Sequence, residues 1–205
     1  MNTAKNTKEN IDYRHLSRRE FIGKSGLLLA GATIGANSSG MSRLMPPEPE
    51  PVIDIHQHTD YYKRNNDLLL SHQQALGVSK TILLPAGRPV NSPTTHNGFS
   101  NGLQANITGN EIAFEFAKKH APAFLFGANE VPDLPDAVKT IEKYLKLGAV
   151  VIGELKFGIE CDSQEMQKIY QLAQQYDVPV LMHWQFDLYN YGLERFHKML
   201  EKYPG

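Results

Sequence analysis

The chain has 205 residues, a length that suits one domain. Hydrophobic residues make up 41% and charged residues 21%, a globular balance that excludes disorder along the whole length. The formal net charge is -1 and no long block of one sign occurs, so nothing favours nucleic acid or an anionic membrane as partner. The one cysteine, Cys161, has no partner for an internal disulfide and reads as a passive thiol.

The first segment reads as an address. Ser17-Arg18-Arg19-Glu20-Phe21-Ile22-Gly23-Lys24 sets two adjacent arginines before a polar residue, a phenylalanine and an aliphatic residue. An apolar run rich in Gly and Ala follows, Gly26 to Ala36, too short to span a bilayer. Residues 1–36 thus resemble a bacterial twin-arginine signal peptide. The resemblance implies passage through the twin-arginine export machinery to the periplasm or beyond, in a folded state with any cofactor already inserted. Residues 37–50 carry Ser, Gly and Pro without an apolar period and read as a linker.

From Pro51 to Gly205 strand and helix patterns alternate. Val52–His56 is a β-branched run and predicts a strand. Asp67–Leu76 predicts a helix ended by Gly77, and Lys80–Leu84 a strand ended by Pro85. The polar stretch 86–109 is long for a compact domain, which is typical of a functional lid or a mobile segment. A helix follows over Asn110–His120, with Asn110 as its cap. The remaining units are a strand over Ala123–Ala128 and a helix over Leu134–Leu147, then Val150–Lys156 with Ser163–Tyr176, and Val178–His183 with Tyr191–Lys202. The strands are continuous apolar runs, so both faces are expected to be buried. Strands alternating with helices imply parallel crossovers, in either a doubly wound sheet or a (β/α)8 barrel. A barrel needs about 250 residues, so about five of its eight units would be present here.

Polar residues gather where the strands end. His56 and His58 close the first strand, Glu154 and Lys156 the fourth, and His183 with Trp184 the fifth. In parallel α/β folds the carboxyl ends of strands carry the site. Residues two apart on a strand point the same way, so both imidazoles face one side and can share a metal ion. Neutral imidazole suits zinc and similar divalent ions, and Glu154 offers an anionic oxygen. The candidate ligands are therefore His56, His58, Glu154 and His183, with zinc as the expected ion, one or two in number. Lys156 shares the parity of Glu154 and competes with it as a ligand if carboxylated. Trp184 and His96 are candidates for contact with a small-molecule substrate, and Arg88 and Tyr189 are candidate pocket walls.

The segment VIDIHQHTD, a short strand ending in Asp-x-His-x-His, resembles the opening of the amidohydrolase superfamily barrel, and VPVLMHW resembles that family's next ligand strand. The resemblance covers Pro51 to Gly205. It implies an incomplete (β/α)8 barrel, with His56 and His58 as ligands from the first strand and His183 from the fifth. It also implies that a strand-eight aspartate, the proton acceptor, lies beyond the end of the chain, so this piece is expected to lack full activity. The activity implied is metal-dependent hydrolysis of an amide, cyclic amide, lactone or ester. Three rivals remain: a non-hydrolytic decarboxylase of the same superfamily, a phosphoesterase of the polymerase-and-histidinol-phosphatase fold, and a non-catalytic exported binding protein.

Overall fold

A computed structural model describes residues 50–62, 64–100 and 107–204. The export signal read over residues 1–36, and the linker as far as residue 49, lie outside the described residues. Five strands alternate with five helices: β1 (Val52–Gln57), α1 (Asn66–Ala75), β2 (Val78–Leu83), α2 (Asn110–Lys119), β3 (Phe124–Phe126), α3 (Ala137–Lys146), β4 (Ile152–Leu155), α4 (Gln164–Tyr176), β5 (Val180–Met182) and α5 (Phe196–Lys202). Among the described residues no helix is long and apolar enough to cross a membrane.

The helix ends follow local chemistry, with three departures from the sequence expectation. The Asn65 side chain accepts from Leu68 N–H at the start of α1, and Ser163 accepts from Met166 N–H at the start of α4. Asn110 was expected to cap α2, but Gly109 holds that position. Asn110 is buried instead, and its amide pairs with the backbone of Asn129 in both directions, at 2.7 and 2.9 Å. α3 begins at Ala137 rather than Leu134, because Val131–Asp136 forms tight turns closed by Leu134 N–H to Val131 O and Ala137 N–H to Leu134 O. The last helix, expected over Tyr191–Lys202, opens with a 3-10 turn, Leu193–Arg195, and continues as α5. Arg195 is drawn aside there by ion pairs to Glu160 and Asp162.

The strands lie in sequence order. β1 pairs with β2 and β2 with β3, all parallel. β4 pairs parallel with β5. Ala128, just past β3, bridges Ile152 of β4 in parallel, supported by Ala128 N–H to Val151 O at 2.9 Å and Gly153 N–H to Ala128 O at 2.8 Å. The order is therefore β1-β2-β3-β4-β5 with no reversal. A doubly wound sheet reverses its strand order at a switch point, whereas a barrel winds one way. The described chain is thus a mixed α/β structure with the strand order of a barrel arc.

The core lies between the strands and the apolar stripes of the helices. Ala113 and Ala117 of α2, Ile141 and Leu145 of α3, and Met166, Ile169 and Ala173 of α4 are buried against Phe124, Phe126, Ile152 and Leu155. β4 is buried at every residue. β1 is not, contrary to the expectation that both faces of each strand are covered: Ile53 and Ile55 are 53% and 59% exposed. β1 pairs with β2 alone among the described strands, which leaves its other edge and its apolar side chains open.

The described portions of the loop after β2 are held by hydrogen bonds. Ser92 and Thr94 both donate to the Asp133 carboxylate, Gly158 N–H donates to Thr94 O at 2.9 Å, and Ser100 donates to Gly87 O at 2.7 Å. Its described portions are tied to the ends of β3 and β4.

Candidate metal centre

Three strand ends converge on one carboxylate. Glu154 leaves β4 with 4% of its surface exposed. Its Oε2 lies 3.3 Å from His56 Nε2 and 3.7 Å from His58 Nε2, both at the end of β1. Its Oε1 accepts from His183 Nδ1 at 2.6 Å, just past β5. Ligand atoms of His56, His58 and Glu154 all lie within 4.8 Å of one another. The two imidazoles stand edge to face with centres 5.1 Å apart, as the strand parity requires.

The surroundings fix the protonation pattern. His58 Nδ1 is 2.7 Å from Leu84 O, so it donates there and leaves Nε2 with a free lone pair. Burial pushes the His58 pKa down, which keeps it neutral. The hydrogen bond to Glu154 raises the His56 pKa, more than burial and the charge of Lys156 lower it. Burial of Glu154 opposes its charge, but the hydrogen bonds and charges of His56 and His183 outweigh it and hold the carboxyl at about 2. Asp54 is not one of the three clustered residues, although its Oδ1 accepts from His56 N–H at 3.1 Å and its charge helps to raise the His56 pKa. Its Oδ2 accepts from the amides of Gln57 and Gln73 at 2.7 and 2.8 Å.

This donor set suits a divalent cation. Two imidazole nitrogens and one carboxylate oxygen are borderline and hard ligands of the kind zinc and manganese accept. One imidazole is already oriented through its second nitrogen by a backbone carbonyl, as metal-bound histidines usually are. Of the other candidates, His183 reaches the far oxygen of Glu154 and stands outside the group of three. The ammonium of Lys156 lies over the Tyr189 ring rather than on Glu154. Trp184 packs edge-on to Phe196 of α5 at 5.1 Å, and His96 stands edge-on to Tyr189 at 4.7 Å. Arg88 is bound by Glu130 and Asp136, and the Cys161 thiol donates to Gly192 O, so neither reaches the cluster.

Two buried asparagines support the site, and the sequence reading missed both. Asn129 Nδ2 donates to Pro85 O at 3.0 Å and to Glu154 O at 2.8 Å, tying the ends of β2, β3 and β4. Asn190 Nδ2 donates to Leu155 O and His183 O, each at 2.7 Å, tying β4 to β5. A polar residue directly after the apolar run FLFGA was the available signal for Asn129. Replacing Asn129 by Ala strands two buried carbonyls, so Asn129→Ala is expected to lose about 2–4 kcal/mol of stability in urea unfolding.

No family model and no curated protein matches the chain. Three solved structures are similar at a distance. One is a 2,6-dihydroxybenzoate decarboxylase from Rhizobium, at 16% identity and TM-score 0.49, covering 76% of this chain and 55% of that one. Another is a 2,6-dihydroxybenzoate decarboxylase complexed with 2,6-dihydroxybenzoate, at 14% identity and TM-score 0.46, with 76% and 56% covered. The third is YJJV, a TatD homolog from Escherichia coli K12, at 19% identity and TM-score 0.46, with 74% and 56% covered. The chain spans about half the length of each. At these scores the likeness carries no weight for the chemistry, which rests on the cluster itself.

The pKa shifts give this cluster a distinct pH response. Binding a cation requires neutral His56, and Glu154 stabilises its charged form, so proton and cation compete. Glu154 stays ionised well below neutrality and adds no further proton. Zinc affinity is therefore expected to be flat above the raised His56 pKa and to fall by about tenfold per pH unit beneath it. Titrations with a competing chelator between pH 5 and 8 measure that slope.

Proposed function

We propose that this chain carries the metal centre of a metal-dependent hydrolase acting on an amide, cyclic amide, lactone or ester. One observation carries the reading: a buried, ionised carboxylate from β4 set between the histidines of β1 and β5 at the carboxyl ends of parallel strands. His56, His58 and Glu154 would hold the cation. Bound there, a divalent ion supplies Lewis acidity toward a carbonyl and lowers the pKa of water toward roughly 7. His183 holds Glu154 in place through Oε1, and the Leu84 carbonyl holds His58 in the ligating tautomer. Among the described residues no second carboxylate joins the cluster and none offers an evident proton acceptor, so slow turnover is expected. Export through the twin-arginine route, proposed from residues 17–36, suits a metalloenzyme that folds around its ion before leaving the cytoplasm.

The test is turnover of p-nitrophenyl acetate, a lactone and an anilide by zinc-reconstituted protein, with and without chelator. The expected result is weak turnover that chelation abolishes and zinc restores. Turnover of p-nitrophenyl phosphate in its place would move the protein to the phosphoesterases. Tightly bound metal with no turnover of any of these would make it a non-catalytic metal-binding protein.

A further inference from the structure

Lys156 follows β4, two residues after Glu154, and residues two apart on a strand share a face. Its ammonium lies 5.1 Å from the centre of the Tyr189 ring. That ring stands edge-on to His183 at 5.7 Å, so the ammonium sits beside the histidine and carboxylate cluster. Its charge is felt at His56, where it opposes protonation.

Among the described residues Lys156 has no anion beside it in an ion pair. Lys118 and Lys146 pair with glutamates on their own helices, Lys143 with Glu111 of α2, and Arg88 and Arg195 with several carboxylates each. Lys156 is half-buried, yet among the described residues its ammonium forms no ion pair. The neighbouring carboxylate, Glu154, has both oxygens turned to histidines. A ring face compensates a partly desolvated ammonium only in part. The position, next to the reacting centre, leaves a substrate group as the natural counter-charge.

We propose that Lys156 anchors a carboxylate of the substrate, so that the class acted on is a carboxylate-bearing amide, lactone or ester; this rests on the metal-centre reading above. Tyr189 would hold the ammonium from behind and the cation site would hold the scissile carbonyl. Two fixed points then orient the substrate, as bidentate clamps do elsewhere. A neutral analogue of the same shape loses one of the two.

The experiment is calorimetric binding of acetate and benzoate, with benzamide as the neutral control, to the full chain in metal-free and zinc-loaded forms. Lys156→Met keeps the stem and removes the charge, and Lys156→Arg restores the charge. The expected result is a loss of carboxylate affinity of about tenfold or more in Lys156→Met, recovery in Lys156→Arg, and no change for benzamide. Equal carboxylate binding by native protein and Lys156→Met, or no carboxylate binding by native protein in either form, would overturn the anchor. Zinc content measured on the same samples tests the metal centre separately. A native chain that takes up no zinc sinks that reading, while the metal-free comparison still decides the role of Lys156.

Discussion

Replacing Glu154 by Gln is expected to weaken zinc binding by about 100-fold or more while leaving the fold intact. Glu154 is the one anionic ligand in the cluster, and loss of even an outer partner of a metal site typically costs 10–100-fold. The amide keeps the shape and leaves His183 a neutral acceptor, so the protein should remain folded. The same substitution carries a second signature. The His56 pKa is raised chiefly by its hydrogen bond to Glu154, so in Glu154→Gln it should fall below its native value. Nuclear magnetic resonance titration of the imidazole reads that shift without any metal present. A His56 pKa that stays put would mean that the two side chains do not interact in solution as they do in the structure.

The second large effect is on stability, through the residue before Glu154. Gly153 has φ of 135°, a conformation that side-chain-bearing residues rarely adopt, and it lies where β4 passes β5. A Cβ there would collide with the Leu181 carbonyl oxygen of β5, with Leu155 N 3.1 Å away. Neither is the end of a flexible side chain, so the backbone itself would have to move. Strain of this kind costs about 1–3 kcal/mol and overpacking a similar amount. Gly153→Ala is therefore expected to lose about 4 kcal/mol in urea unfolding and to release the grip on Glu154, lowering zinc affinity as well. An alanine variant as stable as the native chain would mean that β4 and β5 approach less closely than described.

Much of this architecture is legible in the sequence because it depends on local pattern. The apolar runs of β2, β3 and β4 and the Gly stops at Gly77 and Gly148 mark elements through their own chemistry. The pair His56 and His58 is legible for the same reason: a period of two needs only one strand to express it. Glu154 and His183 are legible from their positions at strand ends, because strands alternating with helices imply parallel pairing.

What escaped the sequence depends on distant partners. Asn110 carries a residue type that suits a helix cap, but its amide meets Asn129, 19 residues on, and that pairing overrides the local preference. Asn129 binds Pro85 O across 44 residues and Glu154 O across 25, separations that leave no trace in periodicity. The exposure of Ile53 and Ile55 is likewise invisible locally, since a run of β-branched residues reads the same on an open edge as in a sheet interior. Strand order, which separates a barrel arc from a doubly wound sheet, became readable only from the bridge between Ala128 and Ile152.

The measurement to make first is metal content by elemental analysis, on the purified chain and on a His56→Ala/His58→Ala variant, each after incubation with zinc or manganese and gel filtration. About one ion per chain, lost in the variant, is the predicted result for ligands from β1 and β4 on one cation. A well-folded native chain that retains no metal, or a variant that retains as much as the native, would contradict it.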